Sequence, residues 1–226
     1  MKTLCLYILC IMILTNPQIL NAVEMTNEEI EILFNDDSEL KALMVNEGKL
    51  VFLKPPVDRS QMYTDNVLTI TNESINSGWV KLNQCHYNLD PVHKIDIVYT
   101  YIEIKNLKIE SRENISRARV VDQSVQLEDV LSNSNICISA EARVFYLNTN
   151  DLFSLRNGPY YRKFLDGYYP YNVTMLINYP ANQLKFRGSN PSAQEGFEII
   201  QSKNRININA WFDGSLKTEL WFERIN

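Results

Sequence analysis

Glycine is scarce in this chain, with seven residues among 226, about 3% where roughly 7% is usual. No two glycines form G-x-G, and neither G-x-x-x-x-G-K-[ST] nor G-x-S-x-G occurs. That excludes the standard phosphate-binding loops and the strained elbow that presents a nucleophilic serine. Histidine is scarcer still: two residues cannot build a three-histidine metal site. There is no basic block, and 22 Lys and Arg against 27 Asp and Glu leave a net charge of −5. A nucleic-acid partner is therefore not expected, because neutralising phosphates takes clustered cations. No apolar run reaches the ~20 residues of a membrane-spanning helix. With 45% hydrophobic residues, disorder and collagen are excluded, and the length suits one large domain or two small ones.

What is present begins with an export signal expected over residues 1–22. Lys2 precedes an apolar run from Leu4 to Leu14, and Asn16 and Pro17 lead to Leu20-Asn21-Ala22. The run is too short for an anchor and fits a signal-peptide core, with Ala22 as the small residue before the cut. The chain is read as exported, periplasmic if bacterial and otherwise secreted, with no membrane span after cleavage. Cys5 and Cys10 leave with the signal. Cys85 and Cys137 remain and, in an oxidising compartment, are expected to form one disulfide.

Residues 23–49 carry eight acids and two bases, whereas residues 50–226 carry 19 of each, so the net charge sits in an acidic head. Thr26 and Glu29 form a capping box ahead of Ile30, Leu33 and Phe34 at helical spacing. A second short helix carries Leu40, Leu43 and Met44, with Gly48 as its stop. This segment is expected to be a short α-helical N-terminal segment, its acids complementing the helix dipoles.

From residue 50 onward period-2 patterns dominate, and this β-rich region is one domain or two small β subdomains. Val67 to Thr71 and Trp79 to Leu82 read as strands. Ile95, Ile97, Tyr99 and Tyr101 alternate before the phase slips to Ile102 and Ile104, which points to a bulge or bend. Ile136 to Tyr146 is the longest clean alternation, and Val173 to Tyr179 is another. One buried and one polar face indicate antiparallel sheet. Ile206 to Phe212 and Leu216 to Phe222 flank Asp213-Gly214 and read as a hairpin. A two-residue loop would put the two apolar sets on opposite faces, so a three-residue loop with Gly214 left-handed is expected. The fold expected is mainly β, an antiparallel sandwich of the immunoglobulin-like kind or an open barrel. Asn is abundant at 25 residues and takes over turn positions that glycine would fill. The sequons at Asn72, Asn114 and Asn172 are no more numerous than that composition gives by chance.

Two neighbourhoods carry candidate chemistry. Residues 85–93 hold Cys85, His86, Asp90 and His93. A thiolate with two imidazoles suits Cu or Zn, but only if Cys85 is free, and a disulfide end beside a polar loop is the competing reading. Residues 157–171 hold five of the twelve tyrosines with Arg162, Lys163 and Asp166. Pro159 fits the start and Gly167 the stop of a short helix presenting Tyr160, Tyr161, Phe164 and Leu165, with an Arg162–Asp166 pair along it. Phenol rings with flanking charges suit a groove for a protein segment or a glycan, and Tyr160, Tyr161, Arg162, Asp166, Tyr168 and Tyr169 are the candidate ligand-binding residues. The same aromatics could instead close the end of the core. No catalytic residue and no cofactor is assigned. The reading is an exported cell-envelope binding or structural protein, with a metal-binding protein using His86, His93 and Cys85 as the alternative. A hydrolase built on Asp166 and Arg162 ranks last, because no second carboxylate can be placed beside Asp166.

Overall fold

The computed structural model describes residues 46–55, 61–149, 151–165 and 167–225. The export signal over 1–22 and all but the last four residues of the acidic segment over 23–49 lie outside the described residues. Within those four, Asn46 closes a turn by accepting from the Gly48 amide at 2.8 Å and donating to the Lys49 carbonyl at 2.8 Å.

The fold is mainly β, as the alternation predicts, and its two larger sheets pack as layers around one core. The first layer contains β1 (Val51–Phe52), β2 (Tyr63–Thr69), β3 (Trp79–Leu89), β4 (Lys94–Val98), β5 (Ile104–Val121) and β6 (Ser124–Arg143). It is completed by β11 (Tyr171–Asn178), β13 (Phe197–Ser202) and β14 (Arg205–Asp213), in the order β1-β14-β11-β2-β3-β6-β4, with β13 on β14 and β5 on β6. The second layer is β12-β15-β8-β7, built from β7 (Phe145–Thr149), β8 (Leu152–Tyr160), β12 (Leu184–Asn190) and β15 (Leu216–Arg224). A separate ribbon pairs β9 (Arg162–Phe164) with β10 (Gly167–Tyr169). One helical turn, α1 (Ser74–Ser77), connects β2 and β3.

The inward residues of both layers form a continuous apolar core. Leu68, Leu82, Ile138, Val173, Ile208 and Phe212 come from the first layer, and Phe153, Leu155, Leu220 and Phe222 from the second, each 2% exposed or less. Burying such side chains supplies ~1.5–3 kcal/mol apiece relative to leaving them in water. Across the layers, Asn157 and Thr218 meet the Met175 sulfur at 3.6 and 3.9 Å.

Three expectations change in the structure. β14 and β15 do not form a hairpin, because they belong to different layers. Ile206, Ile208, Ala210 and Phe212 face the core from one side, while Leu216, Thr218, Leu220 and Phe222 face it from the other. Asp213-Gly214-Ser215 therefore arches between sheets, which removes the register conflict of a two-residue hairpin. Gly214 is left-handed at φ +86°, and a Cβ there would lie 2.1 Å from the Lys49 carbonyl oxygen. The long alternation from Ile136 to Tyr146 is likewise two strands: the chain leaves the first layer after Arg143 and enters the second at Phe145. Finally, β2 and β11 pair in parallel inside an otherwise antiparallel sheet. The phase slip near Tyr101 is a bend, with Tyr99–Glu103 outside both β4 and β5.

All seven glycines have positive φ, and the seven other positive-φ residues among those described are four Asn and three Asp. Side chains that tolerate the left-handed region do the work that glycine does in richer sequences. Cys85 and Cys137 face each other on β3 and β6 and form the expected disulfide, with Cα atoms 4.1 Å apart.

Candidate functional site

The two neighbourhoods read from the sequence meet at one cavity of about 330 Å³. Its floor comes from β3 and β11, backed by β2, where the inward face turns from apolar to polar. On β2 the buried set runs Thr64, Asn66, Leu68; on β3 it runs Val80, Leu82, Gln84, His86. One wall is β4 and the bend to Tyr101, and the other is Gly158–Phe164.

The floor is a single hydrogen-bonded chain whose direction can be worked out. Asn66 donates to the Thr174 carbonyl at 3.2 Å, which leaves its oxygen to accept from the Gln84 amide at 2.6 Å. The Gln84 oxygen then accepts from the Tyr99 hydroxyl at 2.8 Å and from His86 Nε2 at 3.1 Å. His86 Nε2 thus carries the proton, and Nδ1 accepts from the Thr64 hydroxyl at 2.8 Å. Thr64 in turn accepts from the Tyr171 hydroxyl at 2.5 Å. Burial pushes the His86 pKa down to about 4, so the ring is neutral at ordinary pH. Burial also pushes Tyr101 and Tyr171 up to about 12, and Tyr99 and Tyr160 upward. The floor and inner wall are uncharged.

The walls are fixed by charge and aromatic contact. Arg162 grips Asp90 with two bonds, Nε to Oδ2 at 2.8 Å and Nη2 to Oδ1 at 2.6 Å. Its guanidinium also lies 5.4 Å from the Phe164 ring and 5.6 Å from the Tyr169 ring. Tyr101 donates to Asn157 Oδ1 at 2.7 Å. The Tyr160 hydroxyl, only 6% of whose residue is exposed, lies beside Tyr101 and Asn157 yet makes no hydrogen bond of acceptable geometry among the described residues. Tyr161 stands at the mouth, 39% exposed.

Of the six residues chosen from sequence, Tyr160, Tyr161 and Arg162 line the cavity. Tyr168 and Tyr169 do not; they sit on β10, with Tyr168 edge-on to Tyr161 at 5.7 Å and Tyr169 edge-on to Phe164 at 5.3 Å. Asp166 lies outside the described residues. The helix expected across this segment is instead the β9–β10 ribbon, pairing Phe164 with Gly167 and Arg162 with Tyr169. Tyr160 is buried and Tyr161 exposed, which is strand periodicity, and Gly167 at φ +142° is too extended to stop a helix. The alternative metal set is not assembled. Cys85 is half of the disulfide and offers no thiolate, His86 is held by Thr64 and Gln84, and exposed His93 pairs with Asp129 at 2.6 Å. Among the described residues no cluster of three His, Cys, Asp or Glu side chains forms.

Sequence reasoning passed over Thr64, Asn66, Gln84, Tyr99, Tyr101 and Tyr171. The signal was there in the first three: polar residues on the buried parity of otherwise apolar strands. Compared with known proteins, the chain matches no family model, no curated protein and no solved structure. Among the described residues, no helix is long and apolar enough to cross a membrane.

Proposed function

We propose that this is an exported cell-envelope protein that binds rather than catalyses, taking a protein segment or a glycan into the cavity between β4 and Gly158–Phe164. The observation that carries this reading is the buried Tyr160 hydroxyl, which makes no hydrogen bond of acceptable geometry among the described residues, set above a floor in which the polar side chains are hydrogen-bonded. An unmet buried hydroxyl costs ~1–3 kcal/mol, and a ligand group supplies the missing bond. The cavity lies at the small end of the ~300–1,000 Å³ range of ligand sites and combines ring surface with a few aimed polar groups. Export rests on the amino-terminal signal pattern, and the Cys85–Cys137 disulfide is compatible with an oxidising compartment. Among the described residues that line the cavity, His86 has both nitrogens engaged, by Thr64 and Gln84, and activates no nucleophile.

The test is a binding screen of the purified protein against a glycan array and a displayed random-peptide library. Tyr160→Phe and the double variant Tyr161→Ala with Arg162→Ala run alongside. Loss of the selected interaction in these variants supports the site. Undiminished binding in all of them removes it from this cavity.

A further inference from the structure

The wall formed by β4 has a property that distinguishes between the two ligand classes, given the cavity reading above. β4 pairs with β6 alone, so its other edge has no strand beside it among the described residues. In an antiparallel pair, residues whose backbone groups face the partner strand alternate with residues whose groups face away. The Tyr99 amide donates to the Gln123 carbonyl at 2.9 Å, and the His93 carbonyl accepts from Asp129 at 2.9 Å. Both are odd-numbered positions facing β6, so Ile95 and Ile97 face β6 as well. The N–H and C=O groups of Lys94, Asp96 and Val98 therefore point to the open edge.

That edge borders the cavity. Every residue from Lys94 to Tyr101 contributes to the lining. A cavity over one face of a strand would be lined by alternate residues; one lined by consecutive residues runs along the edge. The β6 edge is occupied, so the cavity runs along the open one. The opposite wall, Gly158–Phe164, is also extended over much of its length. Two extended segments with a gap between them, one presenting unpaired backbone groups, make a slot for a third strand. Apolar side chains rim this part of the molecule: Val98 is 54% exposed, Ile102 87% and Tyr161 39%.

We infer that the ligand is an extended segment of a partner protein, added as a strand along the free edge of β4 and placing one side chain or carbonyl against Tyr160. Backbone bonds to Lys94, Asp96 and Val98 give affinity, and the tyrosine-lined cavity selects the inserted residue. The charged groups near the edge are already engaged, Lys94 with Asp96 at 3.6 Å, Arg162 with Asp90, and Lys163 with the Tyr168 ring at 5.2 Å, so the slot favours an uncharged insert. Short edges with charges commonly serve only to prevent pairing. This one differs in bordering a cavity that contains an unmet hydroxyl.

The experiment pans a displayed random dodecapeptide library on the purified protein and synthesises the enriched peptide. Hydrogen exchange of the complex is expected to slow the Lys94, Asp96 and Val98 amides by about tenfold or more, leaving those of Ile95 and Ile97 little changed. Asp96→Pro removes one outward N–H without touching the β6 ladder and is expected to weaken the peptide about tenfold or more. N-methylating alternate peptide residues gives the same loss without altering the protein, so the test survives if that variant folds poorly. If exchange, Asp96→Pro and N-methylation all leave binding unaffected while Tyr160→Phe weakens it, strand addition is wrong and the cavity reading stands. Enrichment of no peptide, with Tyr160-dependent binding of a neutral oligosaccharide from the array, assigns the cavity to glycans and overturns the strand. If nothing selected depends on Tyr160, both readings fall.

Discussion

Arg162 reaches across 72 residues of sequence to hold Asp90 with a two-pronged hydrogen bond. The pair is largely shielded, with side chains 18% and 25% exposed, and it fastens the β9 wall to the loop after β3. Arg162→Lys keeps the charge but loses the planar fork, and Asp90→Asn leaves the guanidinium without its counter-charge. Each is expected to lower unfolding free energy by about 1–3 kcal/mol in chemical denaturation. The two losses should not add, because either one opens the same contact. Additive losses in the double variant would show that the pair is not the fastening.

His86 gives the molecule an acid-side weakness. Its pKa is about 4 in the fold, against an ordinary value of 6.5, so the unfolded chain takes up a proton in a range where the folded ring refuses one. Since the unfolded state binds more protons there, stability falls as pH drops from about 6.5 to 4. The shift corresponds to about 3 kcal/mol by the bottom of that window. His86→Gln cannot titrate, so the difference in unfolding free energy between variant and parent should shrink or reverse across the window. A constant difference from pH 7 to 4 would mean that the ring takes up its proton equally in the folded and unfolded chain, so that its pKa is not shifted by burial.

Strand periodicity made much of this legible, for a physical reason: it records which side of a strand is buried. It does not record which sheet the strand joins. Ile206–Phe212 and Leu216–Phe222 were readable as two strands with inward apolar sets, yet both sets face one core from opposite layers. The same holds at Val144, where an unbroken alternation passes from one sheet to the other. Tyr160, Tyr161 and Arg162 were findable because aromatics and charges cluster there. Their partners were not, because Asp90 and Tyr101 are brought to them only by the packing of β4 against β6 and of the layers on each other. The helix expected after Pro159 failed since proline and glycine bound strands as readily as helices, and the tertiary context decided.

The disulfide closes a sequence separation of 52 residues between paired strands. In the loop-entropy model such a closure is worth about 4 kcal/mol. Replacing both cysteines by alanine is expected to cost about 2–4 kcal/mol, read from denaturant midpoints at unchanged slope. The unreduced parent should show no thiol reactivity at Cys85 or Cys137. A reactive thiol at either position would contradict the pairing.

Gly214 turns the chain from β14 into β15 at φ +86°, beside the Lys49 backbone. Gly214→Ala combines the strain of a left-handed alanine with a Cβ 2.1 Å from a carbonyl oxygen that cannot swing aside like a side chain. A loss of at least about 2 kcal/mol is expected, larger than an ordinary surface substitution produces. Gly214→Asn tolerates the left-handed backbone better but still carries the Cβ. If the asparagine variant is as damaged as the alanine one, the close approach dominates; if it recovers, backbone strain does. Either result is informative only against a clear loss in Gly214→Ala, whose absence would contradict the observed contact.

Tyr160→Phe separates binding from folding. The hydroxyl is buried beside Asn157 and Tyr101 without a well-formed hydrogen bond among the described residues, so removing it deletes a desolvated polar group and leaves the ring packing unchanged. The unliganded variant should be as stable as the parent or more stable by about 1 kcal/mol. Most buried tyrosines behave the opposite way, because their hydroxyls are paired: Tyr171→Phe breaks the Thr64 bond at the end of the His86 chain and should destabilise. Thermal unfolding of the two variants side by side therefore shows whether Tyr160 is held for packing or for a partner. A residue whose polar atom weakens the free protein but strengthens its complex is placed for the ligand. Equal destabilisation by both substitutions would make Tyr160 an ordinary member of the core.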